Sequence, residues 1–121
     1  MVMVKRRILL VDDSEILRMT TAALLEEAGY QVVEAASLAQ ARASLGVEEL
    51  AAAVVDLHLA DGLGTALLPE LRAAHPRAAF ILLSGSARSM DAVECDLYVV
   101  KGAKPEDMVE RIGEAIERRS T

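Results

Sequence analysis

Five polar residues in this chain stand at the ends of short apolar runs. Asp12 and Asp13 follow Ile8-Leu9-Leu10-Val11, Asp56 follows Val54-Val55, Ser84 follows Phe80-Ile81-Leu82-Leu83, and Lys101 follows Leu97-Tyr98-Val99-Val100. A continuous apolar run without alternation suits a strand covered on both faces. Two adjacent carboxylates ending such a strand repel each other and lose hydration, so they stay ionised only beside a cation or in contact with water. A hard divalent metal resolves that conflict. A plainer role exists, since Asp13 or Ser14 can cap the helix that follows; one aspartate suffices for that and leaves the other unexplained. Brought to one rim, three carboxylates, a hydroxyl and an ammonium make a site for holding or moving a phosphoryl group. A Mg²⁺ ion on few protein carboxylates keeps positions open for phosphate oxygens. Lys101 would neutralise another oxygen, Ser84 would donate a hydrogen bond, and Asp56 is left as the nucleophile that forms an aspartyl phosphate.

The segments between these residues have to bring them together. From Glu15 to Ala28, Leu17, Leu24, Leu25 and Ala28 recur at helical spacing with Thr21 on the same face, and Gly29 stands where a helix commonly ends. Gln31-Val32-Val33-Glu34 reads as a second strand. Ser37-Leu38-Ala39-Gln40 fits a capping box that opens a helix running to about Leu45, with Gly46 as its stop. The third strand reaches Asp56 through Ala51-Ala52-Ala53, poor strand formers by propensity that a central strand still accommodates. Asp61-Gly62-Leu63-Gly64 turns into a helix carrying Leu67, Leu68 and Leu71. Pro69 removes a backbone donor there, so this helix is kinked or begins later than its pattern suggests. The runs ending at Leu83 and Val100 are strands four and five. Pro105 fits the first position of the last helix, Glu106 and Asp107 complement its dipole, and Met108, Ile112 and Ile116 form its inward face. Strands alternating with helices predict an α/β fold with a doubly wound, five-stranded parallel sheet; in the flavodoxin-like order 2-1-3-4-5, the one expected, strands one and three are neighbours. Ligands of such sheets sit beyond the carboxyl ends of the strands where the order reverses. All five polar residues lie at those ends.

At 121 residues with a 53% hydrophobic share, the chain is long and apolar enough for one packed domain, taken as residues 1–121. The formal charge of -6 argues against a general nucleic-acid-binding surface, which needs clustered cations. The apolar run after Lys5-Arg6-Arg7 is too short for a secretory signal. No run approaches the roughly 20 residues of a membrane helix. Cys95 stands alone, so no intrachain disulfide forms. Together these features predict a soluble cytoplasmic protein that contacts neither nucleic acid nor membrane directly. His75, before Pro76, reads as an exposed helix end, and Cys95 as a small buried residue.

Taken in order, Asp12-Asp13, the Asp56 of Val-Val-Asp-Leu-His-Leu-Ala-Asp-Gly, Ser84-Gly85 and Tyr98-Val99-Val100-Lys101 resemble the receiver domain of two-component response regulators. The resemblance covers essentially the whole chain. It implies that Asp56 accepts a phosphoryl group from a phosphohistidine on a sensor histidine kinase or histidine phosphotransfer protein. It implies that Asp13 and Asp56, with the backbone carbonyl of His58, bind Mg²⁺, while Asp12 assists through water. Ser84 and Tyr98 would be the switch pair, the hydroxyl drawn to the phosphate and the ring turning inward behind it. Output would be a change in binding to a downstream protein target or output domain. The only chemistry would be Mg²⁺-dependent phosphorylation and dephosphorylation of the domain itself, not turnover of a substrate. Lys101 is preferred over Lys104 as the basic residue because it ends a clean apolar run; Lys104 reads as a solvated residue at the helix start.

Several residues depart from the family pattern. Only 16 residues separate Ser84 from Lys101, and an average helix of about 11 with a strand of about 5 consumes them all. The fourth helix is therefore expected to be short or absent. Ala60 stands where the family usually has proline, which loosens the loop carrying His58. The side chain of His58 is expected to face solvent. Two other functions compete. A haloacid-dehalogenase-type phosphatase also uses a strand-end aspartate with Mg²⁺, but usually carries a second aspartate two positions on, where this chain has His58. A receiver-like interaction module that is never phosphorylated fits the shortened helix region but leaves the intact acidic set without a role.

Overall fold

The computed structural model describes residues 5–46, 49–85 and 95–120. In chain order the elements are β1 (Arg7–Val11), α1 (Glu15–Glu27), β2 (Gln31–Ala35), α2 (Leu38–Ser44), β3 (Ala52–Asp56), β4 (His58–Leu59) and β5 (Gly62–Leu63). A 3₁₀ turn (Gly64–Leu67), α3 (Leu68–Ala74), β6 (Ala79–Ser84), β7 (Leu97–Val100) and α4 (Pro105–Ser120) complete them. Five strands form one parallel sheet in the order β2-β1-β3-β6-β7. With β4 and β5 set aside as a separate two-residue antiparallel pair, this is the expected order 2-1-3-4-5. The expected short or absent fourth helix falls on residues 86–94, outside the described residues.

The unalternating apolar runs become strands buried on both faces, and the pleat divides them between two cores. Leu9, Val11, Ala53, Val55, Phe80, Leu82 and Tyr98 pack under Leu38 and Ala41 of α2 and Leu71 of α3. Ile8, Leu10, Val54, Ile81, Leu83 and Val99 pack under Ala22 and Leu25 of α1 and Ile112, Ala115 and Ile116 of α4. The alanines of β3 sit between two neighbouring strands and leave room for these helices. Pro69 lies in the first turn of α3, after the 3₁₀ turn, so the helix begins late, where a missing N–H costs nothing. Among the described residues no helix is long and apolar enough to cross a membrane.

Four local expectations change. Helix α1 turns Ala22 and Leu25 inward and leaves Leu17 47% exposed, with Ala28 also exposed. Arg18 occupies the inner edge instead, donating from Nη1 to the Asp12 carbonyl at 2.8 Å. The capping box at α2 is shifted by one residue: Ser37 Oγ accepts from Gln40 N at 3.1 Å, but Gln40 Oε1 accepts from Ala36 N at 2.8 Å. His75 is buried, not exposed. Its Nδ1 accepts from Leu50 N at 3.4 Å, so Nε2 carries the proton and donates to Leu45 O at 2.9 Å. The ring thus ties the chain entering β3 to the end of α3. Cys95, expected to be buried, is only half-buried at the margin of the core, and its thiol is pushed up first by burial and then by the charge of Asp96.

Candidate functional site

Strand register assembles the site. Val11 of β1 lies beside Val55 of β3, Asp56 beside Leu83 of β6, and Ser84 beside Val100 of β7. The residues that follow or end these strands therefore meet at one rim. Asp12, Asp56 and Ser84 are buried there and Asp13 is exposed. Carboxylate oxygens of Asp12, Asp13 and Asp56 lie within 4.8 Å of one another.

Lys101 answers this concentration of charge. Its Nζ donates to Asp56 Oδ2 at 2.8 Å and lies 3.9 Å from Asp12 Oδ2. Its backbone is held by the neighbouring strand end, with Lys101 N donating to Ser84 O at 2.7 Å. The other Asp56 oxygen, Oδ1, accepts from His58 N at 3.3 Å. The His58 side chain is exposed, as is Lys104. Tyr98 is buried in the core layer beneath α2 and α3.

Asp12 is braced on several sides. Its N–H donates to Ala35 O at 3.1 Å, its carbonyl accepts from Arg18, and its Oδ1 accepts from Ser14 N at 2.9 Å. Arg18 is in turn fixed by Glu34, Nε to Oε1 at 3.1 Å. Burial pushes the Asp12 carboxyl above the ordinary aspartate range, with the charges of Asp56 and Asp13 adding to it, against the opposing pull of Ser14 N–H and Lys101. A buried carboxylate in that setting has use for a cation. Two oxygens bound directly to one Mg²⁺ are at most about 4.2 Å apart, twice the usual bond length. Three carboxylate oxygens within 4.8 Å of one another are close enough to gather around one ion with water completing its shell, and an all-oxygen set suits a hard cation. The residues present fit Mg²⁺.

Sequence reasoning overlooked what holds the loop after Asp56. Gly64 backs directly onto β3: a Cβ there would overlap the Asp56 carbonyl oxygen and come within 2.7 Å of Val55 Cγ1. Its N–H donates to Leu57 O at 2.8 Å. Asp61 reaches away from the rim to α2, Oδ1 accepting from Leu38 N at 3.0 Å and Oδ2 from Ala39 N at 3.1 Å. The glycines of Asp61-Gly62-Leu63-Gly64 marked a turn; the contacts that make Gly64 and Asp61 matter are long-range and leave no local signature.

The fold and the rim together define a doubly wound α/β domain with a lysine-guarded acidic pocket at the point where strand order reverses. The family model for the response regulator receiver domain matches residues 8–113, and the chain belongs to that family. It is 33% identical over 122 residues to the transcriptional regulatory protein AruR of Pseudomonas aeruginosa, covering 93% of this chain and 50% of that protein. The chain spans about half the length of the curated relatives it matches. Among solved structures it is similar to a CheY-like receiver domain protein from Methanospirillum hungatei, with 31% identity, TM-score 0.85, and coverage of 96% of this chain and 97% of that one. It is also similar to a Burkholderia pseudomallei response regulator that carries a phosphorylated aspartic acid, a calcium ion and citrate, with 29% identity and TM-score 0.78. That match covers 96% of this chain and 72% of the other.

Proposed function

We propose that this receiver domain is the phospho-acceptor of a two-component phosphorelay, with Asp56 as the accepting residue. The observation that carries the reading is the Asp56 carboxylate itself, buried at the end of the central strand, 2.8 Å from Lys101 and grouped with two further carboxylates. The Burkholderia pseudomallei relative, whose structure contains a phosphorylated aspartic acid and a calcium ion, supports it.

In the proposed reaction an Asp56 oxygen attacks the phosphorus of a phosphohistidine as the P–N bond breaks. The bonding pair leaves with the imidazole nitrogen, which takes up a proton. Mg²⁺, held by Asp13, Asp56 and the His58 carbonyl with Asp12 acting through water, would neutralise phosphoryl oxygens. Lys101 holds the acceptor carboxylate in place beforehand and offsets charge on the transferred group. Hydrolysis of the acyl phosphate would return the domain to its starting state, so the chemistry stays on its own Asp56 and no separate substrate is turned over.

The donor is a sensor histidine kinase or histidine phosphotransfer protein. Ile16 is 78% exposed and Met19 58% exposed on α1, beginning three residues from exposed Asp13. Exposed apolar side chains on the helix that follows the acidic pair suit a protein that must bring its phosphohistidine to this pocket. Phosphorylation adds about -1.5 to -2 units of charge. Ser84 and Tyr98 are the pair proposed to respond, the hydroxyl moving to the phosphate and the ring settling behind it. Such a change biases an equilibrium between two arrangements, and a downstream protein or output domain that prefers one of them reads the signal.

Intact-mass spectrometry after incubation with acetyl phosphate tests the reading. Wild type with Mg²⁺ gains one labile phosphoryl group; Asp56→Asn, and wild type with chelator, gain none. Failure of wild type under conditions that label a control receiver would favour the phosphorylation-independent module.

A further inference from the structure

Helix α2 is capped twice. Its first N–H groups have no intrahelical partners, and Ser37, directly before it, already satisfies Gln40 N. The two remaining donors, Leu38 N and Ala39 N, are taken by the two oxygens of Asp61, more than 20 residues further along the chain. For the helix this second, remote cap adds the modest stabilisation of an exposed N-terminal carboxylate. For the loop it is the anchor. The β4–β5 ladder has only two pairs, His58 with Leu63 and Leu59 with Gly62, far too few to hold a hairpin by itself. Ala60 at its turn adds no backbone restraint of the kind a proline ring imposes.

The segment is instead fixed at both ends. At one end Leu57 N donates to Leu83 O, and Gly64 N donates to Leu57 O with Gly64 pressed on Asp56. At the other end Asp61 grips α2, and Gly62 follows with φ +144°, so close to Leu38 that a Cβ would lie 3.0 Å from its Cδ1. His58, whose N–H meets Asp56 Oδ1, lies between the two anchors. We propose that Asp61 is a positioning residue for the acidic pocket: its grip on the first turn of α2 sets where the His58 peptide stands beside Asp56. The proposal rests on the phospho-acceptor reading, and it makes α2 a partner in metal binding although no α2 side chain reaches the rim.

The test is a Mg²⁺ titration followed by NMR on the His58 and Leu59 amides, in wild type, Asp61→Asn and Asp61→Ala. Asp61→Ala should raise the half-saturating Mg²⁺ concentration by about 5- to 10-fold, within the usual range of coupling between sites. Asp61→Asn keeps one acceptor oxygen and should fall between. Coupling is reciprocal, so Mg²⁺ should slow hydrogen exchange at Leu38 and Ala39 in wild type and leave it unchanged in Asp61→Ala. A cap with a purely structural role would lower thermal stability without either effect. Equal Mg²⁺ affinity in wild type and Asp61→Ala, or exchange at Leu38 and Ala39 that ignores Mg²⁺, overturns the proposal and leaves the phospho-acceptor reading standing. A wild type that binds no Mg²⁺ overturns both.

Discussion

Asp12 is only 2% exposed and shares its pocket with two other carboxylates, and its proton is accordingly held more tightly than in the unfolded chain. A group shifted in that direction contributes stability that is fully present below its unfolded value and lost as pH rises through its folded value. Near neutrality, without a cation, Asp12 therefore costs stability. Asp12→Asn should raise urea-derived stability at pH 7 by about 1 kcal/mol, the common scale of such relief. It should flatten the fall in stability above the ordinary aspartate range and weaken Mg²⁺ binding. A variant less stable than wild type in metal-free buffer would show that Asp12 is held by its partners more than it is strained by burial. The pocket's members were legible in the sequence because each is a polar residue ending an apolar run. The choice of Lys101 over Lys104 followed from the same logic; Lys101 lies 2.8 Å from Asp56 and Lys104 is exposed. His75 was misread because proline after it suggested a surface turn; its two backbone partners, Leu50 and Leu45, come from a distant part of the chain and leave no mark nearby.

Strands and helices were read more surely than the faces they present. Gly29, Pro69 and Pro105 mark helix boundaries through backbone chemistry that acts locally, and the structure places α1, α3 and α4 accordingly. The inward face of α1 was harder, because Leu17 and Ala28 share the helical spacing of Leu25 yet lie outside the sheet. Arg18, by reaching the Asp12 carbonyl, takes a position that hydrophobicity alone would give to leucine. The join between α3 and β3 depends on the His75 ring. His75→Ala removes both of its hydrogen bonds and leaves a cavity among buried groups, which should cost about 2–3 kcal/mol in chemical unfolding. A loss below about 0.5 kcal/mol would mean that water replaces the ring without penalty.

Over the molecule as a whole, the winding order does what no single segment can: it puts the carboxyl ends of β1, β3, β6 and β7 at one edge while burying both faces of the sheet. Alternation of strands and helices made the doubly wound parallel sheet legible, and the common flavodoxin-like arrangement supplied its order, whereas the two-residue β4–β5 pair was too short to carry any periodic signal. Among the described residues, the exposed Ile16 and Met19 of α1 belong to neither core. Ile16→Glu should therefore leave stability within about 0.5 kcal/mol of wild type and leave labelling by acetyl phosphate unchanged. It should slow transfer from a phosphorylated histidine phosphotransfer protein by about tenfold or more. Equal slowing with both donors would place Ile16 in the chemistry of the pocket instead of on a docking face.

Signalling by this domain depends on which carboxylate takes the phosphoryl group, an atom of that residue being the nucleophile. Borohydride reduction of the acetyl-phosphate-treated protein, which converts an aspartyl phosphate to homoserine, followed by peptide mass spectrometry, reads that atom directly. Homoserine at position 56, dependent on Mg²⁺ and absent from untreated protein, is the predicted result. Homoserine at Asp12 or Asp13 with position 56 unchanged would contradict the assignment of the nucleophile, and no conversion at any aspartate would contradict the phospho-acceptor function itself.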